Sequence, residues 1–283
     1  VGNLAVSATF ALGYGQLDPA QARAFRLLAL PGGPDISVPA AAALLSPVPA
    51  APDPVATEAL LESLVDVSLL EAPSAGRYRY HDLLKLFARQ QAETTDEPAE
   101  RERALRRLLD FYLASAQSAH RLAYEGSMIA DYLSAGEVPG HTFPSAEEAL
   151  TWLMVEAENL FAAVGQVAAA HLDRAVPHRD AAAALLPAAD LLVAMEPLMD
   201  SGAYVREFEE RTRALLDAAC RAEHLGGQLR CRYVLGRMLF GTNRLPEAEQ
   251  EFRTALSIAE HTGDRVVTGE ILNALAVVVG RLR

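Results

Sequence analysis

The hydrophobic period of this chain changes abruptly at one place, and that change limits what its N-terminal part can fold into. Arg77-Tyr78-Arg79-Tyr80 alternates charged and aromatic side chains, the two-residue period of a half-buried strand. From Leu83 onward the apolar residues Leu83, Leu84, Leu86 and Phe87 recur at helical spacing. A strand therefore runs straight into a helix, with His81 and Asp82 on the junction. Asp82 is placed to cap the first backbone N–H groups of that helix. A histidine beside a helix N-terminus, with a carboxylate next to it, is placed to meet an anion such as a phosphate. The plainer reading is a turn histidine that only satisfies local backbone groups.

The preceding residues give the junction a setting. Leu69-Leu70-Glu71-Ala72, then Pro73-Ser74-Ala75-Gly76, then the alternating stretch, reads as a strand, a tight turn and a returning strand. Residues 4–12 form a helical pattern without a strong stripe. The next helix has clear punctuation: Asp18 as N-cap, Pro19 in the first turn, Ala22, Phe25, Leu28 and Ala29 on one face, and Gly32-Gly33 as the stop. A second spans Val38–Leu45. A third starts at Asp53-Pro54 and aligns Leu60, Leu64 and Val67. Three helices followed by a hairpin is the layout of a winged helix.

Here the chain resembles a known family. Ala24-Phe25-Arg26-Leu27-Leu28-Ala29-Leu30, Ala40-Ala41-Ala42-Ala43-Leu44-Leu45 and Tyr80-His81-Asp82-Leu83-Leu84 resemble the winged-helix segment of the actinobacterial SARP/AfsR-type transcriptional regulators. Those regulators are similar to the STAND class of nucleotide switches, in which a tyrosine or methionine, a histidine and an aspartate stand at this strand-to-helix corner. The resemblance implies that His81 touches the β-phosphate of bound ADP and helps hold a closed, inactive form, with Asp82 bracing the corner. Further along, Phe143-Pro144, Ala149-Leu150, Trp152-Leu153, Glu156 and Asn159-Leu160 resemble the segment that joins the winged helix to the repeats in the same regulators.

Charge argues against the commonest use of a winged helix. The third helix would enter the major groove, where arginine or lysine must reach base edges and phosphates. It carries Glu58, Glu62 and Asp66 and no basic residue, and the whole chain has a net charge of −12. Direct nucleic-acid binding by this segment is not expected.

Other chemistries are excluded by what is missing. Lys85 is the only lysine and follows leucines on a helix, so no P-loop can be built; NTPase activity would need an upstream P-loop domain. No spacing supports a catalytic triad or a metal site. The chain alone is read as a non-enzyme without cofactor, with ADP or ATP expected in the full-length protein. Cys220 and Cys231 lie in helical patterns and are read as buried reduced thiols of a reducing compartment. The longest apolar run, residues 181–195, is broken by Pro187 and Asp190 and is too short to span a bilayer; the opening residues lack a basic n-region. A cytoplasmic protein without membrane contact follows.

Hydrophobic residues make up 51% of the chain and aromatics only 6%, which favours close-packed helices. The polar stretch at residues 93–98 is the best domain boundary. It divides a winged helix over residues 1–95 from a helical linker or sensor over 96–200 and tetratricopeptide-like repeats over 201–283, incomplete at the C-terminus. A long helix from near Ala99 lines up Leu105, Leu108, Leu109, Tyr112 and Leu113. Its arginines at 101, 103, 106 and 107 read as a solvated, salt-bridged face. Residues 126–144 form a long connection. Ser145 and Glu148 make a capping box for a helix whose stripe is Leu150, Met154, Ala157, Phe161, Val164 and Ala168, with Trp152 a packing anchor. A further helix over residues 179–198 is expected to kink at Pro187.

An internal repeat then emerges. Arg221-Ala222-Glu223-His224-Leu225-Gly226-Gly227 echoes Ile258-Ala259-Glu260-His261-Thr262-Gly263-Asp264 at an offset of 37, close to the tetratricopeptide period of about 34. Leu235, Gly236, Ala248, Phe252 and Ala255 stand where two antiparallel helices approach closely. Ile271, Leu272, Leu275, Val278 and Val279 make the apolar face of a first repeat helix whose partner does not follow. The expectation is a fragment of a longer protein whose uncovered face packs on a second copy, giving a homo-oligomer, or folds back.

The class is mainly α: a winged helix with a small β-hairpin, followed by an antiparallel helical array. The function read from it is the regulatory part of a nucleotide-switched transcription regulator. Its winged helix closes on an upstream nucleotide-binding domain, and its repeats sense a protein or small-molecule effector. The alternatives are a helical scaffold that binds a protein or peptide with no nucleotide role, and a DNA-binding winged helix. The charge pattern predicts no salt-dependent binding of this chain to duplex DNA. A titration at low and high salt checks this, and a steep salt slope would revive the DNA reading.

Overall fold

The structure, a computed structural model, describes residues 10–46, 52–171 and 182–282. The expected helix over residues 4–12 lies mostly outside these; residues 10–14 are helical. Contacts gather the chain into two compact units that divide after Phe111.

In the first unit α1 (Pro19–Leu28) begins as its sequence demands. Asp18 Oδ1 accepts from the N–H groups of Ala20 and Gln21, and Gln21 Oε1 reaches back to the Asp18 N–H at 3.1 Å, a complete capping box. Then come β1 (Ile36–Ser37), α2 (Val38–Leu45), α3 (Pro54–Asp66), β2 (Glu71–Ser74), β3 (Arg77–Arg79) and α4 (Asp82–Thr95), with α5 (Pro98–Ala123) running on past the division. The sheet order is β1-β3-β2, antiparallel throughout, with Ile36 opposite Tyr78 and Glu71 opposite Arg79. Phe25, Leu27, Leu44, Leu61, Leu64 and Tyr78 are fully buried and form the centre of this core.

Three readings of this unit change. The hairpin lies further along than the apolar pattern implied: Leu69 and Leu70 are buried before the strand, while Pro73 and Ser74 belong to an exposed edge strand, which tolerates proline. Only Ala75 and Gly76 turn the chain, Gly76 at φ +69°. β1, two residues long, is too short to leave a period in the sequence. On α3 the inward face is Thr57, Leu61 and Leu64, and Val67 is exposed. Arg107 is not solvated: it is buried and donates from Nη2 to the Leu44 carbonyl at 2.8 Å, satisfying an acceptor at the end of α2.

Charged straps close the unit. Arg26 holds Asp96 through two bonds of 2.8 Å, so the polar break between α4 and α5 is tied to α1. Glu100 meets Arg23 at 2.7 Å, Arg103 at 3.1 Å and Arg107 at 3.6 Å. Burial pushes its carboxyl up, but the hydrogen bonds from Arg23 and Arg103 and the nearby guanidinium charges outweigh this and hold it below the usual glutamate range.

The second unit contains the end of α5, a 3₁₀ turn at Ile129–Asp131, then α6 (Ala146–Ala170), α7 (Leu185–Ala194), α8 (Glu196–Asp200), α9 (Val205–Arg221), α10 (Leu225–Gly241), α11 (Leu245–Thr262) and α12 (Arg265–Leu282). Ser145 Oγ accepts from the Glu148 N–H at 3.2 Å, the serine half of the expected capping box. α6 buries Leu153, Ala157, Leu160, Phe161, Val164 and Ala168; Met154 is exposed and Leu150 half-buried, so the stripe lies one position round from the reading. Trp152 packs against Phe143 with ring centroids 5.5 Å apart. The expected helix over 179–198 begins outside the described residues. Within them Pro187 sits in the first turn of α7, where it breaks nothing, and the helix is interrupted instead at Met195 before Pro197.

The repeat period is 40 residues. Helices start at Val205 and Leu245, and again at Leu225 and Arg265. Phe208, Thr212, Leu215 and Ala219 are buried, and so are Ala248, Phe252, Ala255 and Ala259, each 40 residues on. The turns match too: the His224 N–H donates to the Ala219 carbonyl and the Asp264 N–H to the Ala259 carbonyl, with positive φ at Glu223 and Gly263. The offset of 37 aligned similar letters in different places, because residues 222–224 form a turn whereas Ala259 to His261 still lie inside α11. Cys231 is buried as expected, but Cys220 is exposed. Buried Arg230 bridges Asp190 at 3.0 Å and Asp264 at 2.7 Å, tying α7 and α10 to the turn before α12.

Close approach is concentrated at Gly236 of α10, where a Cβ would stand 2.5 Å from the Phe252 ring of α11. Gly236→Ala should therefore destabilise the helical array by about 1–3 kcal/mol through overpacking. Adding Phe252→Ala to Gly236→Ala should cost less than Phe252→Ala costs in the natural background, a coupling that urea denaturation of the four proteins measures.

Candidate functional site

β3 is the central strand of the small sheet, so the corner that follows it is held from both sides. Arg77 pairs with Asp35, with Nε 2.9 Å from Oδ2. The Tyr78 hydroxyl donates to Glu62, and the Tyr80 hydroxyl donates to the Phe25 carbonyl. Burial pushes the Tyr80 phenol well above its ordinary value, consistent with a hydroxyl fixed as a donor. The Tyr80 ring meets Phe25 edge-on at 5.4 Å. The alternation holds, with Tyr78 buried, Arg79 exposed and Tyr80 half-buried, and both tyrosine hydroxyls act as struts.

α4 is clamped through its first two turns. Lys85 Nζ donates to the Gly33 carbonyl at 2.8 Å, and Arg89 Nε donates to the Ala29 carbonyl at 2.7 Å while Nη2 reaches Pro31 at 3.2 Å. Burial, with Arg89 nearby, lowers the Lys85 ammonium, and Asp82 partly opposes this. The sequence reading missed both residues as parts of the corner. The signal available was that the chain's sole lysine stands four residues after His81, one helical turn away.

His81 itself is at the N-cap position of α4, with extended backbone (φ −68°, ψ 140°), and its carbonyl accepts the Lys85 N–H at 2.9 Å. Its side chain is exposed and makes no capping bond. Asp82 is not the cap. It is the first residue inside the helix, also exposed, and places a carboxylate in the first turn. The N-cap side chain thus leaves the first N–H groups of α4 uncapped. The cleft beside the corner, lined by Gly33, Asp35, Tyr78, Tyr80 and Lys85 among others, holds about 20 Å³, room for one water. On α3, Glu58, Glu62 and Asp66 are all exposed.

Fold and corner together define the class: a winged helix with an outward-facing histidine at its strand-to-helix corner, followed by an antiparallel helical array. Two curated relatives are similar to the chain over almost all of it. Regulatory protein AfsR of Streptomyces griseus is 44% identical over 278 residues, and regulatory protein AfsR of Streptomyces coelicolor is 46% identical over 277. These matches cover 98% and 96% of this chain but only 27% and 26% of the relatives, so the chain spans about a quarter of their length. The resemblance to AfsR-type regulatory proteins thus holds along nearly the whole segment. No family model matches, and no solved structure does. No helix among the described residues is long and apolar enough to cross a membrane.

Because the imidazole is exposed and carries no structural bond, His81→Ala should change unfolding free energy by less than about 0.5 kcal/mol. Tyr80→Phe, which strands the buried Phe25 carbonyl, should cost about 1 kcal/mol or more. Denaturant unfolding of the two variants checks the contrast.

Proposed function

We propose that this segment is the regulatory part of a cytoplasmic transcription regulator, in which the winged helix closes on a nucleotide-binding domain elsewhere in the same protein and His81 meets a phosphate of bound ADP. One observation carries the reading. At a corner where Arg77, Tyr78, Tyr80, Lys85 and Arg89 are all committed to internal bonds, the His81 side chain is exposed and makes no capping bond, beside exposed Asp82. It stands at a helix N-terminus, where free N–H groups and the helix dipole favour an anion.

Under this reading ADP bridges two domains and stabilises the closed state, and ATP or an effector on the helical array favours the open one. The requirement is that nucleotide affinity differ between the states. Asp82, also exposed, stands next to His81 in the first turn of α4. The array is read as tetratricopeptide-like, with a protein or small-molecule effector as its partner. Its 40-residue spacing is about six residues longer than the usual tetratricopeptide unit, the difference lying in helices of 17 and 18 residues.

A second reading, a scaffold without nucleotide, is favoured by the cleft at the corner, which at about 20 Å³ is too small for a nucleotide. The two separate in the full-length protein. His81→Ala should weaken ADP binding about ten- to a hundredfold, the worth of one charge-assisted hydrogen bond, and raise basal activity. Unchanged ADP affinity, measured by calorimetry, would remove His81 from the mechanism and leave the scaffold.

A further inference from the structure

Asp190 stands in the most apolar helix of the second unit. Ala188, Ala189, Leu191, Leu192 and Val193 around it are fully buried, and Asp190 itself is only 1% exposed. A carboxylate in such a place needs donors, and they come from two sides. Ser134, in the connection between α5 and α6, donates its backbone N–H to Oδ2 at 2.8 Å and its hydroxyl to the same oxygen. Arg230, the residue 40 positions on in α10, donates from Nε to Oδ1 at 3.0 Å. The same guanidinium donates from Nη1 to Oδ2 of Asp264, in the turn before α12, at 2.7 Å.

One carboxylate thus holds the connection with one oxygen and the array with the other. The connection has further ties to α5, where Arg121 meets Asp131 at 2.7 Å and Gln117 donates to the Ser134 carbonyl at 2.9 Å. The Ser134 N–H and hydroxyl tie it to α7 instead.

We propose that Asp190 and Arg230 form a switch through which the turn before α12 controls how the connection at residues 129–138 is held on α7. Arg230 has two arrangements open to it. In the one seen here it is divided between two carboxylates. Freed from Asp264, it can turn the fork of Nε and Nη2 onto both oxygens of Asp190, the bidentate geometry in which a guanidinium binds a carboxylate most strongly. Both lone pairs of Oδ2 already accept from Ser134. The second arm of the fork therefore displaces a Ser134 bond, and the connection loses its hold on α7. Ile129, Ala130, Leu133 and Val138 are buried in that connection, so loosening it bares apolar surface.

Access to the switch is through Asp264. Its side chain is 25% exposed, whereas that of Arg230 is 7% exposed. A cationic group docked on Asp264 competes with Arg230 for the carboxylate and sets the guanidinium free, which gives an effector of the array a chemistry. That use rests on the reading of the array as a sensor; the coupling itself is a property of these side chains and stands without nucleotide.

Asp264→Asn tests the coupling without an effector, because it removes the charge and keeps an oxygen for the Val267 N–H, which Oδ1 accepts at 3.2 Å. In the full-length protein it should speed amide exchange across residues 129–138 about tenfold and leave α6 unchanged, as read by mass spectrometry. On an Arg230→Lys background, whose single ammonium cannot fork, Asp264→Asn should change that exchange by less than about twofold. Unaltered exchange at residues 129–138 in Asp264→Asn would overturn the proposal. So would equal acceleration on both backgrounds, or acceleration that extends into α6, since either describes a general loosening of the array.

Discussion

The corner of the winged helix depends on how one helix end is satisfied. α1 stops at Leu28, and the carbonyls that follow it have no helical partners. They are capped by side chains from α4, with Arg89 on Ala29 and Pro31 and Lys85 on Gly33. These cations bring the start of α4 against the loop after α1, while Tyr80 ties the strand before it to the Phe25 carbonyl one turn earlier. With strand and helix both anchored to α1, the residue between them cannot turn inward. His81 is left at the surface because its neighbours on both sides are held below it.

The helical array follows a different constraint, the exchange of volume between neighbouring helices. Across the repeat Phe208 is answered by Ala248, and Thr212 by Phe252. Large and small residues change places from one unit to the next, and Gly236 makes the space that the Phe252 ring fills. Such interlocking lets neighbouring helices approach closely, which agrees with a chain poor in aromatics. The buried Arg230 between Asp190 and Asp264 adds direction to this packing. Removing Arg230 would leave buried Asp190 without its counter-charge and release the turn before α12.

Much of this was legible in the residues themselves. The period change at residues 77–88, the N-cap at Asp18, the helix at Val38–Leu45 and the start at Asp53-Pro54 are local signals, set by backbone groups within a few positions of one another. The likeness to AfsR-type regulators could be read from three short phrases and holds for nearly the whole segment. The misreadings share a cause. Arg107, Met154 and the hairpin boundaries were assigned from a helical wheel or an apolar run, and each was decided by something distant: the Leu44 carbonyl for Arg107, the packing of α6 on its neighbours for Met154, and an unforeseen two-residue strand for the hairpin.

What the amino-acid order determined alone was the kind of elements, their sequence along the chain and the place where strand passes to helix, because these follow from hydrophobic period and capping over a single turn. The tertiary structure decided that Asp82 lies inside the helix and not at its cap, that His81 faces outward, and that the repeat is counted in 40 and not 37. Those are matters of which backbone groups find partners across the fold and which side chains find room. No window of neighbouring residues contains that information.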